Sequence, residues 1–92
     1  MQVRVTFLGA LEDATGCAEA LADLPSGAVM EDLMAWLDSQ FGHKMSAEMW
    51  DRQQKRFGPM TMVFLNGSDV EDYRRPLLDG SEVICTMMMA GG

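Results

Sequence analysis

The chain closes on Ala90-Gly91-Gly92, and a carboxylate held on two glycines is a group on which another protein's site can act. Glycine has no Cβ, so such a stalk passes through a narrow channel and takes up extended backbone without restriction. Residues 89–92, fully extended, reach about 14 Å, enough to enter a buried site on a partner while the globular body docks outside. The bland alternative is a frayed end with no role, since termini are often poorly ordered. Gly92 is read as the residue whose carboxylate the stalk presents, with Ala90 and Gly91 as its tail.

The other chemistry-bearing residues point elsewhere. Cys17 and Cys85 are the only cysteines, too few for a disulfide framework, a four-cysteine zinc site or an iron–sulfur cluster. Neither has a histidine or second cysteine nearby in sequence to activate it, and Cys85 reads as a small core hydrophobe. His43, the only histidine, follows the helix-ending Gly42 and suits a surface or C-capping position better than general-base work. Ten methionines include the run Met87-Met88-Met89, and thioethers are copper(I) ligands. Successive strand residues point to opposite faces, however, so these three do not converge on one ion. No metal or cofactor is expected. The outward members of the run are expected to form an apolar docking patch for a partner beside the tail, the others to fill the core. Glu71, Asp72, Arg74 and Arg75 form a charged cluster that is first of all a solvated surface. Arg74 and Arg75, a basic pair in an acidic chain, are its candidate partner contacts.

The chain that must position these groups has 92 residues, the size of one domain with one core. That leaves little room for a deep catalytic site as well, and a carrier or subunit is expected rather than an enzyme. Hydrophobic residues at 48% and charged residues at 23% are the balance of a soluble globule. The formal net charge of −7 is repelled by phosphate backbones, which argues against nucleic acid, and favours a basic face on a partner. No apolar run approaches the roughly 18 residues of a membrane span, and the first residues lack the pattern of a signal peptide. A reduced, cytoplasmic protein is the plain expectation.

Residues 3–8 carry Val3, Val5 and Phe7 at period two, the mark of a half-buried strand. Gly9 and residues 12–16 read as turn chemistry, and residues 18–24 as a second strand hairpinned to the first. Over residues 29–41, Met30, Met34, Leu37 and Phe41 fall at helical spacing, with Glu31 and Asp32 suiting the helix dipole and Gly42 placed to stop it. Ser46 is placed to cap a second, weaker helical stretch reaching about Arg56. Residues 61–65 read as a strand, turned by Asn66-Gly67, both of which tolerate positive φ, into a short return strand over residues 69–71. Residues 73–78 are irregular, Asp79-Gly80 makes a turn, and residues 82–88 form the last strand. This order predicts an α+β fold, the β-grasp (ubiquitin-like) mixed sheet with one main helix packed on one face. The first and last strands should be adjacent and parallel, in a single domain over residues 1–92 with a flexible diglycine tail.

Several blocks resemble the MoaD/ThiS ubiquitin-like sulfur carriers. They are Val3-Arg4-Val5-Thr6-Phe7, Gly27-Ala28-Val29-Met30-Glu31-Asp32-Leu33, Val63-Phe64-Leu65-Asn66-Gly67, Val70-Glu71-Asp72, Leu78-Asp79-Gly80-Ser81-Glu82-Val83 and Ala90-Gly91-Gly92. Each block is weak alone; the ordered set spans nearly the whole chain. The resemblance implies a protein substrate whose Gly92 carboxylate an E1-like enzyme adenylates with ATP. A persulfide sulfur donor then replaces AMP, leaving a thiocarboxylate that delivers sulfur to a biosynthetic precursor. The long stretch 45–60 is similar to MoaD-type members, which implies a larger molybdopterin synthase-type catalytic subunit as a partner and molybdopterin or tungstopterin as the product. Thr86-Met87-Met88-Met89 departs from the prolines usual in MoaD-like tails, and Ala28 from a capping threonine, so thiamine or another sulfur metabolite stays open. So does use of the diglycine for conjugation to lysine, or as a non-covalent module.

Overall fold

The computed structural model describes residues 1–88. Its elements are β1 (Gln2–Phe7), α1 (Ala10–Thr15), β2 (Glu19–Asp23), α2 (Met30–Phe41), β3 (Trp50–Asp51), β4 (Arg56–Phe57), β5 (Thr61–Leu65), β6 (Ser68–Asp69) and β7 (Glu82–Met87). The expectation about the diglycine tail falls on residues outside this range.

Alternation in β1 buries Val3, Val5 and Phe7 and leaves Gln2 and Arg4 in solvent. The same period in β7 buries Val83 and Cys85. The two strands pair in parallel, Val5 opposite Val83 and Phe7 opposite Cys85, so their apolar sets share one face. β2 lies antiparallel on the outer side of β1, and β5 antiparallel on the other side of β7. The five-stranded order β2-β1-β7-β5-β6 is the mixed sheet predicted, with its first and last long strands adjacent and parallel.

One helix covers the buried face. α2 contributes Met30, Leu33, Met34 and Leu37, all fully buried, and its far end sets Phe41 edge-on to Phe7 at 5.2 Å. Its start is tied down by polar contacts. The Val29 N–H donates to the Asp32 carboxylate at 2.8 Å, half of a capping box, since valine offers no side-chain acceptor for the other half. The Met30 and Glu31 N–H groups donate to the carbonyls of Arg75 and Tyr73, so the irregular segment before β7 satisfies the helix's free donors.

Two segments differ from the sequence expectation. Where Gly9 and residues 12–16 are expected to be turn, residues 10–15 form α1. Gly9 (φ 57°) and Gly16 (φ 81°) are the breaks that bound it, and Gly16 closes it in the left-handed conformation with its N–H on the Glu12 carbonyl. The helix buries Leu11, and Thr15 returns its hydroxyl to the Leu11 carbonyl at 2.8 Å. Residues 46–56, expected to be helical, instead enter the β3–β4 hairpin, after a 3₁₀ turn at Gly42–Lys44 that follows α2. Tertiary burial overrides propensity here. Trp50 is 1% exposed, stacks edge-on against Phe57 at 4.8 Å, and donates its indole N–H to Asp38 of α2 at 2.7 Å. Asp51 accepts the N–H groups of Gln53 and Gln54 to make the turn.

The hairpin depends on Gly58, which is buried and where an added Cβ would land on the Glu48 backbone carbonyl. Backbone cannot step aside as a side-chain end can, so Gly58→Ala should destabilise the protein by about 1–3 kcal/mol in urea unfolding. A variant as stable as wild type would show that the hairpin adapts without cost.

Candidate functional site

The last strand sits in the middle of the sheet and leaves it at one end. Its final described backbone contact is the Met88 N–H on the Met60 carbonyl at 2.7 Å, and on the other side Leu8 donates its N–H to Cys85 at 3.0 Å. The chain therefore exits between Leu8 and Met60. Among the described residues five large hydrophobics are exposed, and three of them, Leu8 (45%), Met60 (41%) and Met88 (47%), stand at this exit. Leu21 and Leu78 are the other two.

The rim continues onto the sheet face turned away from α2. Thr6 and Phe64 both lie opposite Ile84, and Met62 lies opposite Thr86, so these five half-exposed side chains share that face. Its border is charged: Arg4 holds Glu19 at 3.3 Å and Glu82 at 3.4 Å. A half-wet apolar surface bounded by ion pairs and ending at an exposed apolar rim has the anatomy of a protein interface.

The residues picked out by sequence are not all brought together. Met88 is exposed at the exit. Met87 shares the Cys85 face, is half-buried and packs against the core. Met89, Ala90, Gly91 and Gly92 lie outside the described residues. Arg74 and Arg75 stand at the N-terminal end of α2, where the Arg75 carbonyl accepts from Met30, while Phe41 at the other end meets Phe7 beside the exit. A helix of 12 residues separates the two ends by about 18 Å. Arg74 is turned onto Asp72, which holds that exposed carboxyl below its usual range. His43 is exposed in the turn after α2.

Leu8 and Met60 were missed. Leu8 joins the rim only through the parallel register of β1 on β7, and Met60 only through a backbone bond made before β5 begins. The available signal was an apolar residue just beyond each strand end.

Neither thiol is poised for chemistry at the exit. Burial pushes the Cys85 thiol up to about 12, whereas Cys17 is half-exposed near the end of α1. Ellman's reagent at pH 8 should therefore titrate one thiol in the native protein and two after denaturation. Because the folded thiol holds its proton past the ordinary thiol pKa of 9.0, stability should be intact below that pH and fall as pH rises from there towards 12. Rapid labelling of both thiols in the native state would contradict this burial.

No protein-family model and no curated protein matches this sequence. Solved structures do match. SAMP1, the small archaeal modifier protein 1 of Haloferax volcanii, superposes with a TM-score of 0.83 at 14% identity, covering 100% of both chains. A putative molybdopterin converting factor subunit 1 from Pyrococcus furiosus gives 0.75 at 21%, covering 97% of this chain and 99% of that one. A chain from the complex of subunits 1 and 2 of the molybdopterin-converting factor of Helicobacter pylori gives 0.66 at 20%, covering 100% of both chains. The fold is the ubiquitin-like β-grasp. At these identities the likeness extends over the whole described chain and is a likeness of fold.

Proposed function

We propose that this protein is a non-catalytic, cytoplasmic sulfur carrier. An E1-like enzyme joins the Gly92 carboxylate to AMP from ATP, releasing pyrophosphate. Attack by a donor persulfide displaces AMP, and a thiol cleaves the resulting acyl disulfide to leave a thiocarboxylate at Gly92. The thiocarboxylate then gives its sulfur to a precursor, in our reading molybdopterin or tungstopterin, within a larger catalytic subunit. The observation that carries the reading is the central strand β7, which leads out between Leu8 and Met60 and whose sequence continues into Ala90-Gly91-Gly92. A partner docked on the apolar face and rim is in position to receive that stalk. The converting-factor subunit in the H. pylori complex, of the same fold and bound to a second subunit, supports such a partner.

A second reading has its own support, the modifier named in the SAMP1 structures. In that reading a lysine amine of a target attacks the Gly92 acyl adenylate in place of the persulfide, forming an isopeptide bond and releasing AMP. Both readings require activation at Gly92, and pyrophosphate exchange tests it. An adenylating enzyme should exchange labelled pyrophosphate into ATP only when this protein is present, and deletion of Gly92 should stop it. Undiminished exchange with the truncated protein would remove both readings.

A further inference from the structure

The cations of this acidic chain are gathered in one place. Four of its seven, Lys44, Arg52, Lys55 and Arg56, fall within residues 44–56, against two acids, Glu48 and Asp51. The rest of the chain carries three cations and twelve acids. The segment from the 3₁₀ turn through the β3–β4 hairpin is thus a basic lobe on an acidic body.

The same lobe contains a cleft of about 540 Å³. Trp50, Phe57 and Met45 line it, with Arg52, Arg56 and Pro59 among the other wall residues. The apolar floor is rigid, since the buried Trp50 behind it is fixed by its indole bond to Asp38 and by its edge-on contact with Phe57. Arg56 is held as well, pairing with Glu31 at 3.7 Å and lying over the Tyr73 ring at 4.1 Å. The acid of the lining, Asp51, has its Oδ1 engaged by the Gln53 and Gln54 N–H groups. Arg52 and Lys55 form no ion pair among the described residues. The volume lies within the roughly 300–1,000 Å³ of ordinary binding clefts, and an apolar floor beside the unpaired Arg52, with Lys55 in the adjoining turn, selects an occupant that is both apolar and acidic.

We propose that this cleft docks an acidic segment of a partner protein, with one large apolar side chain of that segment seated on Phe57 and Pro59, above the buried Trp50. Carboxylates beside the anchor meet Arg52 in the wall and Lys55 in the hairpin turn between the lining residues Gln54 and Arg56. Pro59 directly precedes Met60, whose carbonyl holds Met88, so the cleft gives a partner a foothold next to the chain's exit. This proposal stands without the sulfur-carrier reading.

The probe is an acetylated Glu-Asp-Phe-Asp-Glu peptide titrated into the isotopically labelled full chain, followed by the two tryptophan indole signals and the backbone amides. The Trp50 indole and the hairpin amides should shift saturably, while the Trp36 indole should not. Arg52→Glu with Lys55→Glu should weaken binding by about tenfold or more, as should raising the salt so that the Debye length falls from ~10 to ~3 Å. A peptide with serine for phenylalanine should lose the Trp50 shift. The proposal is overturned by any of three results: no saturable shift up to about 1 mM peptide, equal binding of a peptide with lysine for each acid, or hairpin shifts that appear with protein concentration alone. The last would mean that a second copy fills the cleft.

Discussion

Leu8→Asp combined with Met60→Asp should weaken binding of an adenylating partner by about 100-fold, close to 3 kcal/mol, while the protein stays folded. Both side chains are exposed at the exit of the last strand, so the fold loses little when they become polar. Exposed positions away from caps and strained backbone usually change stability by no more than about 0.5 kcal/mol. A docked partner, by contrast, would have to bury two carboxylates against an apolar surface without partners for them. Calorimetric titration against the partner measures the loss, and thermal unfolding of the free variant checks the fold. Leu8→Ser with Met60→Ser separates lost apolar contact from added charge, because it should retain part of the defect. Wild-type affinity in the aspartate variant would mean that the rim is not an interface.

The second large effect concerns the hairpin. Trp50→Ala should cost about 3–5 kcal/mol, because the site cannot collapse around an indole lost from between α2 and Phe57. At ~4–8 °C per kcal/mol, the unfolding midpoint should fall by well over 10 °C. Trp50→Phe keeps much of the apolar bulk and removes the bond to Asp38, so its cost should be smaller, of the order of 1–2 kcal/mol. Urea unfolding of the two variants side by side reads the difference. A loss below about 1 kcal/mol for Trp50→Ala would show that the hairpin is an appendage rather than part of the core.

The parts of the fold visible in sequence are those where one period or one turn dominates. Val3, Val5 and Phe7 mark β1 by alternation alone, and the Met30 to Phe41 spacing marks α2 by its apolar stripe. Asn66 (φ 50°) and Gly67 (φ 85°) adopt the left-handed backbone their types favour, and they close the β5–β6 hairpin. α1 escaped because its two bounding glycines look like a loop when the helix between them has only six residues. The 46–56 segment escaped because its conformation is set from outside, by Asp38 on a different element drawing the Trp50 indole inward. The site divides in the same way. The diglycine is a local feature that needs no structure to notice. The rim of Leu8, Met60 and Met88 exists only once three strands are in register, so no window of sequence contains it.

The most direct measurement is the intact mass of the protein, and of its C-terminal peptide, after incubation with an adenylating enzyme, ATP and a persulfide donor. The wild-type peptide should gain the mass difference between sulfur and oxygen. A variant with one alanine added after Gly92, and a variant with Gly91→Trp, should keep their starting mass while unfolding at the wild-type temperature, since both changes leave the core within residues 1–88 untouched. In the first, the carboxylate is moved past its reacting position; in the second, a Cβ and ring are placed where the stalk must thread. Sulfur gained as readily by the alanine-extended variant would contradict Gly92 as the working group. A product linked to lysine in place of the thiocarboxylate would contradict sulfur transfer and leave the modifier.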